Sequence, residues 1–317
     1  MFEKLMSLDA MQGARVWLRD HHPFKSKTTW YEFLKKMSAK IADNDTSERA
    51  ASVSYSLILA VFPTVIFLFT LIPYIPIENL QERIMDFLGR ALPGDTFSSV
   101  KSTVLDIISR QRGGVLSFGF LLALFSATSG LVALMNAFNS SHESEDSRGF
   151  FKIRAVAIGL TFTLAIALIL AIVGLIIGGV VSQYLLRFGI LNNVIVVYLL
   201  AIARYLIVFG VFVAAISVIY RFGPDVNMKW SFVTPGGVIA SALIVLTTLA
   251  FSYYVSNFGS YNKVYGSIGT LIALMIWINL IALLLILGFE MNVALFNLEK
   301  DKNPNMAEKT TNATSNA

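Results

Sequence analysis

Six long stretches of this chain carry almost no charge, and they fix what it can fold into. Residues 50–77, 113–142, 155–186, 230–262 and 264–289 have no charged side chain, and 188–220 has one, Arg204. A helix needs about 20 apolar residues to cross the hydrocarbon core of a bilayer. Each stretch is long enough for one crossing. Backbone N–H and C=O groups in lipid must be satisfied within the segment, so the crossings are helices. The expected fold class is all-α, a polytopic membrane protein with a bundle of six transmembrane helices and flanking amphipathic helices. The expected spans are 52–74, 115–138, 155–181, 194–220, 234–256 and 267–292.

Composition agrees with this frame. Of 317 residues, 56% are hydrophobic and only 14% charged, against about 25% charged in soluble domains. A soluble enzyme and a disordered chain are both excluded. The net charge of +5 would raise nucleic acid as a partner in a soluble protein. Here it is accounted for by basic cytoplasmic loops, so the expected partner is the lipid bilayer and not nucleic acid. There are no cysteines, which removes disulfides, thiolate metal sites and Cys nucleophiles.

Lys and Arg set the expected orientation. With the N-terminus inside, the inner segments hold 17 of them and the outer loops 7. This places both termini in the cytoplasm of a bacterial inner membrane. The first 50 residues lack an apolar signal core, so the first span is expected to act as its own insertion signal. The expected organisation is a cytoplasmic arm over 1–51, the transmembrane domain over 52–298, and a disordered cytoplasmic tail over 299–317.

Three polar segments have readable patterns. Thr29 and Glu32 make a capping box ahead of Trp30, Phe33, Leu34, Met37 and Ile41, with Lys35, Lys36 and Lys40 on the remaining surface. This helix suits either an anionic inner leaflet or the inner ends of the bundle. Asp45 and Glu48 mark a fresh helix start. The outer loop 75–114 has two apolar helical stripes, at Leu80, Ile84, Phe87 and Leu88 and at Phe97, Val100, Val104, Ile107 and Ile108. Pro93-Gly94 divides them. Such a loop either caps an outward cavity or rests on the outer leaflet.

Arg204 is the sharpest candidate for function. A charge near the bilayer centre costs at least about 2.5–3.5 kcal/mol, and such residues normally face the bundle interior or a water-filled cavity. The candidate substrate contacts are therefore Arg204 with Asn279, at similar depth, and Tyr55. The bland alternative is an Arg bonded to carbonyls or snorkelling. Glu290 lies about 20 Å from Arg204 along the bilayer normal at 1.5 Å per residue, too far to pair with it. Its candidate partners are Arg49, Arg154 and Arg221. Pro63 interrupts the first span. Gly174 and Gly178 form a GxxxG pair, read as close packing within the chain or between copies in a homo-oligomer.

Motifs for hydrolytic or metal chemistry are absent. His21, His22 and His142 have no ligand spacing. The acidic clusters Asp43/Asp45 and Glu143/Glu145/Asp146 read as solvated loop charges or, less simply, a divalent-ion site. No metal and no cofactor is expected.

Several spaced motifs together carry a family resemblance. They are Ala51-Ser-Val-Ser-Tyr55 through Phe62-Pro63, Leu134-Met-Asn136 with Arg154, Tyr220-Arg-Phe-Gly-Pro224 and Thr234-Pro-Gly-Gly237. Tyr254, Tyr261, Tyr265-Gly266, Trp277 and Leu287-Gly-Phe-Glu290 complete the set, with Gly236, Gly288 and Glu290 inside it. Over residues 30–298 the chain resembles the YihY/BrkB family of bacterial inner-membrane proteins. The family's Gly-Ala-Glu near the end of span six reads Gly288-Phe289-Glu290 here. The resemblance implies six membrane helices and no settled activity. It also brings an old label of ribonuclease BN, a virulence label and a suggestion of transport. The residues favour translocation of a solute or anionic phospholipid. An envelope-integrity scaffold is the alternative, and a membrane-bound nuclease the distant one.

Overall fold

The computed structural model describes residues 12–21, 29–41, 44–76, 78–91, 94–141, 146–187, 194–226, 231–257 and 267–302. Among them every regular element is helical. Two short helices, α1 (Gln12–Asp20) and α2 (Trp30–Ile41), precede the first long helix, α3 (Asn44–Leu71). The helical pair α4 (Leu80–Ala91) and α5 (Gly94–Ser109) follows. The remaining long helices are α6 (Gly113–Ser141), α7 (Phe150–Arg187), α8 (Val194–Phe222), α9 (Pro235–Asn257) and α10 (Ser267–Lys302). Six of these ten are long and apolar enough to cross a membrane. The helix ending at Lys302 enters the segment expected to be a disordered tail. Leu298, Glu299 and Lys300 favour helix, and the first breaker, Pro304, comes later. The rest of that tail lies outside the described residues.

The long helices pack in a ring. α3 lies against α6 and α10, α6 against α7, α7 against α8, α8 against α9, and α9 against α10. We call the end where α3 begins and α10 finishes the proximal end, and the other the distal end. The packed core sits at the proximal end. It contains Ala50 and Val53 of α3, Leu131, Leu134, Met135 and Phe138 of α6, Ile216, Ile219 and Tyr220 of α8, Ala240 and Ile244 of α9, and Ile286, Phe289 and Val293 of α10. Phe138 stacks on Phe289, with ring centroids 4.5 Å apart, and Tyr220 meets both edge-on. Toward the distal end the same helices expose Phe118, Leu121 and Phe125 on α6, Ile202, Leu206 and Ile207 on α8, and Leu271, Met275 and Ile276 on α10.

Helix association in lipid gains little from burying apolar side chains, because the acyl chains are equally apolar. Small residues that admit close backbone approach therefore matter more. Gly236 of α9 and Gly288 of α10 are this device. A Cβ on Gly236 would run into the Gly288 carbonyl, and one on Gly288 would meet the Tyr220 hydroxyl and the Ala240 methyl. Gly174 of α7 faces Val208 of α8 inside the chain. Gly178 is helical, and nothing is described of its surroundings.

α2 takes the second of its two expected positions. Its capping box forms, with the Thr29 N–H donating to Glu32 and the Glu32 N–H donating to the Thr29 hydroxyl. Phe33 and Met37 are buried against Met291 and Leu295 of α10, which docks α2 on the proximal end of the bundle and leaves Lys35 and Lys36 exposed. At the distal end, Leu80, Ile84 and Leu88 of α4 and Val100, Val104 and Ile108 of α5 close on Phe69 and Ile72. The pair thus folds over the end of α3, with Phe87 and Leu105 left outside. α3 runs unbroken through Pro63, and the Thr64 hydroxyl donates to the Ala60 carbonyl within that bend-prone turn.

The glycine contact gives a direct prediction. Gly236→Val forces α9 off α10 and lowers stability by the cost of overpacking a tight contact, about 1–3 kcal/mol. A lower thermal midpoint in detergent is expected, with Gly210→Ala as the control, since a Cβ there meets nothing within 4 Å.

Candidate functional site

Polar side chains gather in two layers at the proximal end. The first is built around Glu290, the most deeply buried carboxylate described. Arg49 of α3 reaches it from across the bundle, with Nη2 2.7 Å from Oε1. The side chains are 10% and 1% exposed respectively, so this pair is withdrawn from solvent. Thr46 donates to the same carboxylate at 3.2 Å, and Ser141 does so at 3.4 Å. The other arm of Arg49 donates to the Ala137 carbonyl at 2.9 Å and the Ser141 hydroxyl at 2.6 Å. Its Nε lies 3.1 Å from Asp45. One guanidinium therefore ties α3, α6 and α10 together. Of the three partners foreseen for Glu290, the structure selects Arg49.

The second layer closes the loops beneath. Asn139 accepts from the Asp225 N–H at 2.7 Å and donates to Asp146 at 3.0 Å. Arg148 grips Asp146 through Nε and Nη2, at 2.8 and 2.6 Å, and donates to the Gly223 carbonyl at 2.8 Å. Asp225 accepts from the backbone and hydroxyl of Ser147. The Arg148 hydrogen bonds hold Asp146 below the ordinary aspartate range, and Asp146 in turn raises Arg148. This accounts for Asp146 as an ion-pair partner. Glu143 and Glu145, the rest of its acidic cluster, lie outside the described residues, as do His22 and His142. Asp43 does too, while Asp45 serves Arg49.

Asn292 was not foreseen, and it caps α9. Its carbonyl oxygen accepts the Gly236 N–H at 2.8 Å and its amide donates to the Thr234 hydroxyl at 2.9 Å. Tyr220 donates to the Leu285 carbonyl at 2.7 Å. Trp277 and Tyr254 of the sequence motifs flank Phe251 on the α9–α10 seam. Pro224 is buried just after α8, and Asn136 lies on the exposed side of α6. Tyr261, Tyr265 and Gly266 lie outside the described residues.

Arg204 sits on α8, one turn before Val208. Its Nε is buried and has no hydrogen-bond partner among the described residues. Its guanidinium carbon lies 5.7 Å from the centre of the Tyr205 ring. Asn279 donates to Ser54 at 3.3 Å, so it joins α10 to α3 and not to Arg204. Tyr55 points out of the bundle. The structure leaves the three expected substrate contacts unjoined. Among the described residues, no three His, Asp or Glu side chains come together as a metal-ligand group.

The comparisons with known proteins meet this arrangement directly. The family model for "Virulence factor BrkB" matches residues 37–312. The chain belongs to the BrkB family of membrane proteins. A Bacillus subtilis protein, YfkH, whose name describes it as ribonuclease-like, is 32% identical over 278 residues, covering 86% of this chain and 98% of that one. A UPF0761 membrane protein of Psychrobacter is 24% identical, covering 84% of this chain and 49% of its own length. One of Acinetobacter baylyi is 23% identical, covering 88% and 65%. The chain thus spans about half to two-thirds of those two relatives. No solved structure matches. The motifs quoted from the sequence fall on the proximal layers of this BrkB-family bundle, with Glu290 at their centre.

The network predicts how variants behave. Arg49→Ala leaves Glu290 buried and unpaired, which costs about 3–5 kcal/mol. Arg49→Met with Glu290→Met removes both charges, and most of that loss is expected to return. Thermal unfolding in detergent measures both. A double variant as unstable as Arg49→Ala would show that the residues act independently.

Proposed function

We propose that this BrkB-family protein translocates an anionic solute or an anionic phospholipid, with Arg204 as the contact for the negative group. The observation that carries the reading is Arg204 itself: a buried guanidinium nitrogen in a membrane helix with no hydrogen-bond partner among the described residues. A cation held in a bundle without a partner is costly, and intramembrane charges of this kind mark ligand pathways. An arriving phosphate or carboxylate would supply the missing acceptor.

The distribution of packing supports the same reading. The proximal half is sealed by apolar packing and the Arg49–Glu290 network. The distal halves of α6, α8 and α10 expose their side chains. A bundle tight at one end and loose at the other is the geometry expected of a carrier resting in a state open at the loose end. We further propose that the proximal end faces the cytoplasm, as the Lys and Arg distribution requires. Asn279 with Ser54 would then offer a second polar contact on the α3–α10 seam, and Tyr55 one at the bundle surface. In this reading the protein is not an enzyme. The ribonuclease-like name of YfkH belongs to that relative, and a hydrolytic site would need grouped ligands that Arg204 does not supply.

Flux in proteoliposomes tests the proposal. Wild type is expected to speed the transfer of fluorescent phosphatidylglycerol between leaflets, and Arg204→Ala is expected to lose at least about tenfold, the factor carried by one charge-assisted hydrogen bond. Transfer equal to empty liposomes, for phospholipid and for small anions alike, would overturn the carrier reading and favour the scaffold.

A further inference from the structure

Arg154 is a second cation with no acidic partner, and it lies at the bundle surface. It is the last charged residue before 155–186, which carries none, so it stands where α7 enters its apolar run. Its Nη1 donates to the Thr128 hydroxyl at 2.9 Å, the Ser129 hydroxyl at 3.1 Å and the Phe125 carbonyl at 3.3 Å. Those hydroxyls give their own protons to α6, Thr128 to the Leu124 and Phe125 carbonyls and Ser129 to the Phe125 carbonyl. They can only accept from Arg154. The guanidinium is therefore fixed in place by neutral acceptors and keeps its full charge. Its Nε and Nη2 carry no hydrogen bond, and no carboxylate pairs with it, among the described residues.

The surroundings are those of a headgroup. The guanidinium lies 4.4 Å from the centre of the Phe125 ring and 5.7 Å from that of Phe150. Phe125, Phe150 and Phe151 are all exposed, as is Lys152. Aromatic rings beside two cations at the start of a membrane helix fit the boundary between headgroups and acyl chains. By contrast, Arg49 and Arg148 are consumed by carboxylates.

We propose that the α6–α7 groove at Arg154 binds the phosphate of an anionic phospholipid in the leaflet at the proximal end. Arg154 Nε and Nη2 are the principal donors, Lys152 adds charge, and the three phenylalanines flank the upper acyl chains. The site is separate from Arg204 and stands whether or not the protein transports anything.

Purified full-length protein in a neutral detergent tests this with three probes: phosphatidylglycerol, phosphatidylcholine and inorganic phosphate. Phosphatidylglycerol is expected to raise the thermal midpoint well beyond phosphatidylcholine. Arg154→Gln is expected to need about tenfold more phosphatidylglycerol for the same shift, from the loss of a hydrogen bond to a charged group. An equal response to both lipids, or an undiminished response in Arg154→Gln, overturns the proposal. A shift produced by inorganic phosphate alone assigns the site to free anion and also overturns it. If Arg154→Gln does not fold, Phe150→Trp reports in its place. Its added fluorescence is expected to be quenched more by brominated phosphatidylglycerol than by brominated phosphatidylcholine, and equal quenching overturns the assignment.

Discussion

The buried pair between Arg49 and Glu290 is the constraint on which the proximal half depends. In lipid, packing one apolar helix on another gains little, because the tails they displace are equally apolar. A carboxylate almost wholly removed from solvent is different, since each unpaired alternative is expensive. Glu290 is tolerable only where Arg49, Thr46 and Ser141 converge on it. That requirement fixes the register of three helices at once: α3 through residues 46 and 49, α6 through 137 and 141, and α10 through 290. The net contribution of such a pair to stability can be small. Its contribution to arrangement is large, because few other packings satisfy all its groups.

The rest of the proximal architecture follows from that register. With α10 fixed, Gly288 meets Gly236 and lets α9 approach, and Asn292 one turn later caps the exposed N–H of Gly236. Phe289 points to Phe138 and Tyr220. Asn139, two residues before Ser141, pins the loops that return to α7 and leave α8. Nothing comparable binds the distal halves, where the distal pair α4 and α5 covers the end of α3. Arg204 lies in the loosely packed region of α8, and its unmatched nitrogen is the chemical counterpart of that looseness.

Much of the fold was legible because charge in a membrane helix is so strongly selected by physics. The uncharged runs gave the helical bundle, and the Thr29–Glu32 spacing gave the start of α2. Polar contacts between distant helices were less readable. Glu290 had three candidate arginines at similar depth, and sequence spacing on separate helices does not say which faces meet. Asn139 and Asn292 were missed because an Asn near a helix end reads equally well as a cap, a turn or a solvated side chain. The GxxxG pair was ambiguous for a similar reason. The motif marks a close contact but not with which helix, and the structure puts Gly174 against Val208 of the same chain. The proposed link from Arg204 to Asn279 matched the two by depth alone, whereas Asn279 faces Ser54.

Water access to position 204 tests the central claim, a bundle sealed proximally and open distally. The chain has no native cysteine, so single replacements report cleanly. Arg204→Cys in sealed vesicles is predicted to react with a membrane-impermeant thiol reagent applied from the distal face and not from the proximal face. Ala137→Cys, in the buried proximal layer, is predicted to stay unreactive from both. An Arg204→Cys protein that reacts from neither face, while an exposed Arg110→Cys control reacts distally, would contradict the account.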